Sequence, residues 1–259
     1  MDDIVDLDKE ETESEEKESE EIEDPFEPIN NNNNIRAELI EEKYDIDRIS
    51  KMLQFHRSFV FCGPTASGKT SVMKNVLKNY IKLFDMVIVF SGSYFEFEFL
   101  DCGIPKEYHK PINEVKIRAV IEALTKIKDS GNVVNTLLVF DDTTGNLDLA
   151  HSKLMDRIVT QCRHFNCSTF FSCHWLSKLS RTILESANFF FVLNSSREAL
   201  SRIQQYTNFT EKELWEMYTS NSTVEFSFMF FQKIKPNKKM IYFCNPIKNI
   251  SNKASGIIN

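Results

Sequence analysis

Residues 63–70 carry the two glycines, the lysine and the hydroxyl that a phosphate-binding loop needs. Their sequence, G-P-T-A-S-G-K-T, matches the pattern G-x-x-x-x-G-K-[S/T] between a predicted strand and a predicted helix. Backbone N–H groups and the helix N-terminus attract phosphate, Lys69 is expected to reach the β- and γ-phosphates, and Thr70 to offer its hydroxyl to Mg²⁺. The alternative is a glycine turn that happens to open a helix, although the chain has only 7 glycines. The predicted nucleotide-binding residues are Gly63, Pro64, Thr65, Ala66, Ser67, Gly68, Lys69 and Thr70.

Two adjacent carboxylates follow about 70 residues later, at the end of the apolar run 136–140. Asp141 is expected to hold Mg²⁺ together with Thr70, because a strand ending beside the phosphate loop commonly supplies a metal-side acid. Asp142 is expected to orient and deprotonate an attacking water, which favours a hydrolase over a small-molecule kinase. The alternative is that both acids merely end a strand.

A third polar group lies at the end of the run 167–174, C-S-T-F-F-S-C-H. His174 is the first candidate for a side chain that senses the γ-phosphate or its water, and Ser172 is the second. An ordinary surface histidine is the alternative. Five thiol and imidazole side chains in this region could be taken for a zinc site, but the spacing of these residues contains no paired-cysteine motif. The five are Cys162, His164, Cys167, Cys173 and His174.

Short apolar runs alternate with helical patterns along the chain, which predicts a mostly parallel sheet covered by helices on both faces. A basic turn, 233–238, separates two further strand-like runs at the C-terminal end, after a helical stretch that extends to about Tyr218. The predicted strands are 58–62, 86–90, 136–140, 168–172, 188–193, 224–232 and 239–245, and the predicted helices are 69–83, 115–128, 151–165 and 176–185.

Charge divides the 259 residues into an acidic tail and a mildly basic body. Residues 1–34 contain 15 Asp and Glu against Lys9 and Lys17, whereas the rest has 29 Lys and Arg against 23 Asp and Glu. The tail has too few apolar residues to order itself, so we predict a disordered segment 1–34 and one α/β domain over 35–259. A lead-in helix is expected around Ile46, Ile49, Met52 and Leu53.

The N-terminus has no signal-like apolar region, and no apolar run approaches the roughly 18 residues that span a bilayer. We therefore expect a soluble, intracellular protein with no membrane span. Its six cysteines contain no C-x-x-C pair, so reduced thiols are expected.

Taken together, these motifs resemble those of the FtsK/HerA superfamily of P-loop ATPases. The resemblance is to its viral branch, the genome-packaging ATPases of poxviruses, other large DNA viruses, virophages and Polinton-type elements. It covers about residues 55–232. Besides the phosphate loop and Asp141-Asp142, it rests on R-H-F-N-C-S-T-F-F-S-C-H at 163–174 and on L-S-R at 179–181 followed by A-N-F-F-F-V-L at 187–193.

The resemblance implies a P-loop NTPase fold, ATP and Mg²⁺ as cofactors, a homo-oligomeric ring, and pumping of double-stranded DNA into a capsid, whose proteins would be partners. It also implies an arginine that reaches the neighbouring subunit's nucleotide; Arg163 is the candidate and Arg181 the alternate. The expected location is the host-cell cytoplasm or viral factory, with virion association as a further option. Two residues depart from the pattern, because relatives usually have Gln in place of His174 and many have Glu in place of Asp142.

Three other interpretations stay open at this point. The chain could be another P-loop NTPase, such as a helicase or nucleotide kinase, or a scaffold that binds ATP with little turnover. The acidic tail could be a docking peptide or a solvated segment. Finally, the basic turn residues could contact DNA phosphates or simply form a charged hairpin; they are Lys233, Lys235, Lys238 and Lys239.

Overall fold

A computed structural model describes residues 55–92, 99–206, 209–221, 227–234 and 238–244. The predicted tail and the predicted lead-in helix lie outside these residues, as do parts of the predicted strand at 224–232 and of the basic turn. The strands are β1 (Ser58–Cys62), β2 (Met86–Ser91), β3 (His109–Pro111), β4 (Thr136–Asp141), β5 (Cys167–Cys173), β6 (Phe189–Leu193), β7 (Phe228–Ile234) and β8 (Lys238–Cys244).

All eight strands join one sheet in the order β3-β2-β4-β5-β1-β6-β7-β8. The first six in this order are parallel, and β7 and β8 are added at one edge as antiparallel strands. The expected α/β class is therefore confirmed, with the C-terminal β segment forming part of the same sheet. In this order β4 lies between β1 and the outer strands β2 and β3, and β5 is inserted between β4 and β1.

The helices that cover the sheet are α1 (Lys69–Tyr80), α2 (Glu114–Asp129), α3 (Leu147–Ala150), α4 (Lys153–Gln161), α5 (Arg181–Ser186), α6 (Arg197–Gln204) and α7 (Glu211–Asn221). Several begin at a side-chain cap: Asn113 accepts from Val115 N at 2.8 Å, and Ser152, Ser180 and Ser196 cap α4, α5 and α6. Within the described ranges, no helix is long and apolar enough to cross a membrane.

Alternation along the strands sends side chains into two cores, one on each face of the sheet. In β1, Phe59 and Phe61 pack with the apolar stripe of α1, whereas Val60 and Cys62 pack with α2, α4, α5, α6 and α7. The α1 face is unusually aromatic: Phe61 stacks on Phe191 with ring centroids 4.5 Å apart, and Phe59 stacks on Phe189 at 4.8 Å. Such pairs contribute about 0.5–1.5 kcal/mol each beyond their buried area, which gives the frequent phenylalanine a structural role.

Some predicted boundaries differ from the structure. The helix predicted over 69–83 ends at Tyr80 and continues as a 3₁₀ turn, Ile81–Leu83. The helix predicted over 151–165 begins at Lys153 and its last part is a 3₁₀ turn, Cys162–Phe165. Tight i to i+3 turns at helix ends keep the same apolar spacing for one more turn, so the pattern does not separate them from α-helix.

Candidate active site

The loop 63–70 leaves the carboxyl end of β1 and enters α1. Gly68 has φ +85° and stands as the residue before the helix, while Ala66 also has a positive φ of +61°. Gly63 is tightly surrounded, because a Cβ placed on it would lie 2.5 Å from Ser67 Oγ and 3.0 Å from Leu193 Cβ. Both glycines of the motif are thus required by the backbone path, one by its conformation and the other by close packing.

Lys69 is folded back toward the loop and the neighbouring strand. Its Nζ donates to the Gly63 carbonyl at 3.2 Å and lies 3.4 Å from His174 Nδ1. The side chain is buried, and its first helical turn contains no acidic residue. An ammonium group held at the mouth of a glycine loop is a suitable ligand for a polyphosphate.

His174 connects this lysine with an acid at the end of β4. Its Nε2 lies 3.3 Å from Asp142 Oδ1. Because an ammonium can only donate, Nδ1 accepts from Lys69 and Nε2 carries the hydrogen that points to Asp142. The structure therefore brings together three of the four predicted catalytic side chains, Lys69, His174 and Asp142.

Asp141, the predicted metal-side acid, is buried on the α1 face of β4. Burial raises the pKa of the Asp141 carboxyl, while the hydrogen bond from Ser172 and the positive charge of Lys69 act in the opposite direction. The register pairs Phe140 with Phe171, so the next residues, Asp141 and Ser172, lie side by side. Ser172 Oγ lies 2.6 Å from Asp141 Oδ1.

Asp142 turns away from the line of β4. Its backbone is left-handed, with φ +51° and ψ +51°, and its N–H donates to Ser172 Oγ at 3.0 Å. Gly92 lies against this turn: its N–H donates to the Asp141 carbonyl at 3.1 Å, and a Cβ there would come within 3.0 Å of the Asp142 carbonyl oxygen. Gly92 was not predicted as a site residue, and its only signal in the sequence is its place directly after the neighbouring strand β2.

The donor set suits Mg²⁺. Thr70 at the start of α1 supplies a hydroxyl and Asp141 a buried carboxylate, both hard oxygen ligands, and Mg²⁺ is commonly held by one or two protein oxygens with substrate phosphates and water. In the part of the chain that the structure describes, no three His, Cys, Asp or Glu side chains come together in a metal-binding group. The five residues considered for zinc are all described and do not form such a group.

The family model of the poxvirus A32 protein matches residues 41–225, which is more than half of the chain. The chain belongs to the poxvirus A32 protein family. Its matched region contains the whole glycine loop, both acids and His174. No match was found among curated protein sequences.

Several solved structures have the same fold as this A32 family member. B204, the DNA-packaging ATPase from Sulfolobus Turreted Icosahedral Virus, is 16% identical, with a TM-score of 0.55 over 75% of this chain and 100% of B204. The genome packaging NTPase B204 from Sulfolobus turreted icosahedral virus 2, in complex with ATP-gammaS, is also 16% identical, with a TM-score of 0.54 over 74% of this chain and 98% of that one. At such identities the likeness shows the fold alone.

The fourth predicted catalytic residue, Arg163, lies away from the other three. It is exposed in the 3₁₀ turn Cys162–Phe165, which precedes β5, whereas the glycine loop and the acids lie at the carboxyl ends of the strands. The seven residues of β5 separate the two edges by roughly 20 Å. Arg181, the alternate, is exposed at the start of α5, where its Nε lies 2.6 Å from Glu185 Oε1.

Proposed function

We propose that this member of the A32 family is an ATP-hydrolysing motor that translocates double-stranded DNA into a viral capsid. The observation that carries the ATP-hydrolysing part of the proposal is the contact chain from Lys69 through His174 to Asp142, and the match to the A32 family supports the DNA-packaging part. The contact chain links the phosphate-binding loop to a candidate base at the adjoining strand end. Binding of phosphate and activation of water are the two tasks that hydrolysis of a nucleoside triphosphate requires.

In this proposal Lys69 binds the β- and γ-phosphates, and the backbone N–H groups of 63–70 surround them. Asp142 orients the attacking water and takes its proton. His174 senses the γ-phosphate through its contacts with Lys69 and Asp142. Thr70 and Asp141 would hold Mg²⁺, which neutralises phosphate charge when bound. Each role uses a group already held at the same edge of the sheet.

Partners and location belong to the same proposal. The net positive charge of residues 35–259 suits a polyanionic partner such as DNA. We place the ATPase domain at 35–259, after an acidic tail at 1–34, and expect the protein to act in the host-cell cytoplasm or viral factory as a ring that docks on capsid proteins.

Double-stranded DNA should stimulate ATP hydrolysis several-fold, because a translocating motor couples turnover to its track. The measurement is phosphate release with and without linear duplex, and heparin at equal charge serves as the control for a general polyanion effect. Stimulation should fall steeply with added salt, since phosphate contacts release counterions. Phosphate transfer to a nucleoside monophosphate would instead indicate a kinase, preference for single strands a helicase, and ATP binding without turnover a scaffold.

Replacing each acid with its amide should separate their roles. Asp142→Asn should keep Mg·ATP binding and lose hydrolysis by about 10²- to 10⁴-fold, because asparagine tolerates the left-handed backbone but cannot take a proton. Asp141→Asn should raise the Mg²⁺ concentration needed for nucleotide binding by about 10-fold, equivalent to about 1.4 kcal/mol. The exposed Asp148→Asn on α3 is the matched control. Identical behaviour of the two site variants would contradict this division.

A further inference from the structure

Ser172 contacts both acids of the candidate site through one hydroxyl group. Its Oγ lies 2.6 Å from Asp141 Oδ1 and 3.0 Å from Asp142 N, and the side chain is fully buried. A further bond fixes the strand end itself, because Thr143 Oγ1 donates to the Ser172 carbonyl at 2.8 Å. The end of β5 therefore supports the three residues 141–143 that leave β4.

The direction of these hydrogen bonds follows from the groups involved. The Asp142 N–H can only donate, so Ser172 Oγ accepts there and directs its single hydrogen to the Asp141 carboxylate. The 2.6 Å separation is typical of a charge-assisted O–H···O⁻ bond. Because sensing a phosphate oxygen needs a donor and the single hydrogen of Ser172 is directed at Asp141, this arrangement favours His174 over Ser172 as the γ-phosphate sensor.

The bond to Asp142 N also has a conformational effect. A non-glycine residue in the left-handed region costs roughly 1–2 kcal/mol, and the accepted hydrogen bond from its N–H offsets part of that cost. This turn directs the Asp142 side chain toward His174. Loss of the Ser172 hydroxyl would thus remove one hydrogen bond from the Asp141 carboxylate and one from the Asp142 backbone at the same time.

We propose that Ser172 is a positioning residue that presents Asp141 to the Mg²⁺ ion and Asp142 to the attacking water. The proposal rests on the function proposed above for these two acids. In this proposal Ser172 acts through the two acids, because its hydroxyl is buried and is held by both of them. Outer partners that orient a metal-binding carboxylate typically change metal affinity or activity by 10- to 100-fold when removed.

The test compares Ser172→Ala with Ser168→Ala. Ser168 lies on the same face of β5, is equally buried, and accepts from Arg57 N at 3.2 Å at the opposite end of the strand. The first readout is equilibrium binding of a fluorescent, non-hydrolysable ATP analogue at increasing Mg²⁺. Ser172→Ala should raise the Mg²⁺ midpoint, the Mg²⁺ concentration that gives half of the Mg²⁺-dependent analogue binding, by about 10- to 100-fold. Binding of the analogue without Mg²⁺ should change less than about twofold. Ser168→Ala should leave the midpoint unchanged.

The second readout is steady-state kinetics at saturating Mg²⁺. Ser172→Ala should lower kcat by about 10-fold or more with little change in KM for ATP, because Asp142 is misplaced and the phosphate loop is intact. Ser172→Thr keeps the hydroxyl and should return the Mg²⁺ midpoint to near the wild-type value. If the alanine variant does not fold, Ser172→Cys, a weaker donor, should show a raised midpoint.

An unchanged Mg²⁺ midpoint in folded Ser172→Ala, or equal shifts in the Ser168 and Ser172 variants, would overturn the positioning role. Failure of the ATPase roles proposed for the two acids would look different, since the wild-type protein would then show no ATP hydrolysis. If the wild-type chain hydrolyses ATP and Ser172→Ala behaves like the wild type, only the role of Ser172 is refuted.

Discussion

Replacement of Lys69 by alanine should lower ATP hydrolysis by about 10³-fold or more and leave the chain folded. Its ammonium is the buried positive charge nearest the glycine loop, held by the Gly63 carbonyl and by His174. Loss of a charged donor aimed at the transferred phosphate removes several kcal/mol of transition-state stabilisation. The analogous loss of a single oxyanion-hole donor lowers kcat by about 10²- to 10³-fold. The measurement is kcat/KM for ATP in the presence of duplex DNA.

Stability should change little in the same variant. Lys69→Ala removes two hydrogen bonds to neutral acceptors, the Gly63 carbonyl and His174 Nδ1, but it also removes the cost of burying a charge. No core apolar side chain changes, so we expect a net loss of about 1 kcal/mol, or about 2–4 °C in Tm. Lys78→Ala is the matched control, because it removes one lysine from the same helix and loses only an exposed ion pair with Asp101. Wild-type hydrolysis in a folded Lys69→Ala protein would disprove the role of the loop.

Local pattern determined most of the fold. β1 was predicted with its observed bounds, because the four apolar residues 59–62 between Ser58 and a glycine loop have few other conformations. β3 was missed, since His109–Pro111 is three residues long, polar, and ends in proline. Its strand conformation comes from pairing with Val89, Phe90 and Ser91 of β2, which is a tertiary effect.

In the candidate site, too, some features follow from local sequence and others depend on tertiary structure. Residues 63–70 and the two acids could be found from spacing, because the loop and a strand end are local features. The contact of His174 with both Lys69 and Asp142 could not be predicted from spacing, because it depends on β5 lying between β1 and β4 in the sheet. The two hydrogen bonds of Ser172 likewise depend on sheet register and on the left-handed turn at Asp142.

Arg163→Ala should reduce hydrolysis by about 10³- to 10⁵-fold if Arg163 completes the site of a neighbouring subunit. The side chain is exposed roughly one strand length from its own glycine loop, so it cannot reach the nucleotide of its own chain. Arg181 already pairs with Glu185 at 2.6 Å, whereas no acidic partner of Arg163 is found among the described residues. A permanently charged guanidinium with a planar set of donors suits phosphate oxygens as charge develops on them.

Mixing subunits tests the action in trans directly. Arg163→Ala and Lys69→Ala chains are each expected to be inactive, yet a mixed ring contains interfaces where an intact loop meets an intact arginine. Activity should therefore return in the mixture and vary with the ratio of the two chains, while Arg163→Lys should restore little because a point charge cannot replace the bidentate fork. His164→Ala, at the next exposed position of the same 3₁₀ turn, is the control and should remain active. Full activity in Arg163→Ala alone would exclude this arginine. The same mixing experiment would then be made with Arg181→Ala; for Arg181 to act in trans, its guanidinium would first have to leave Glu185.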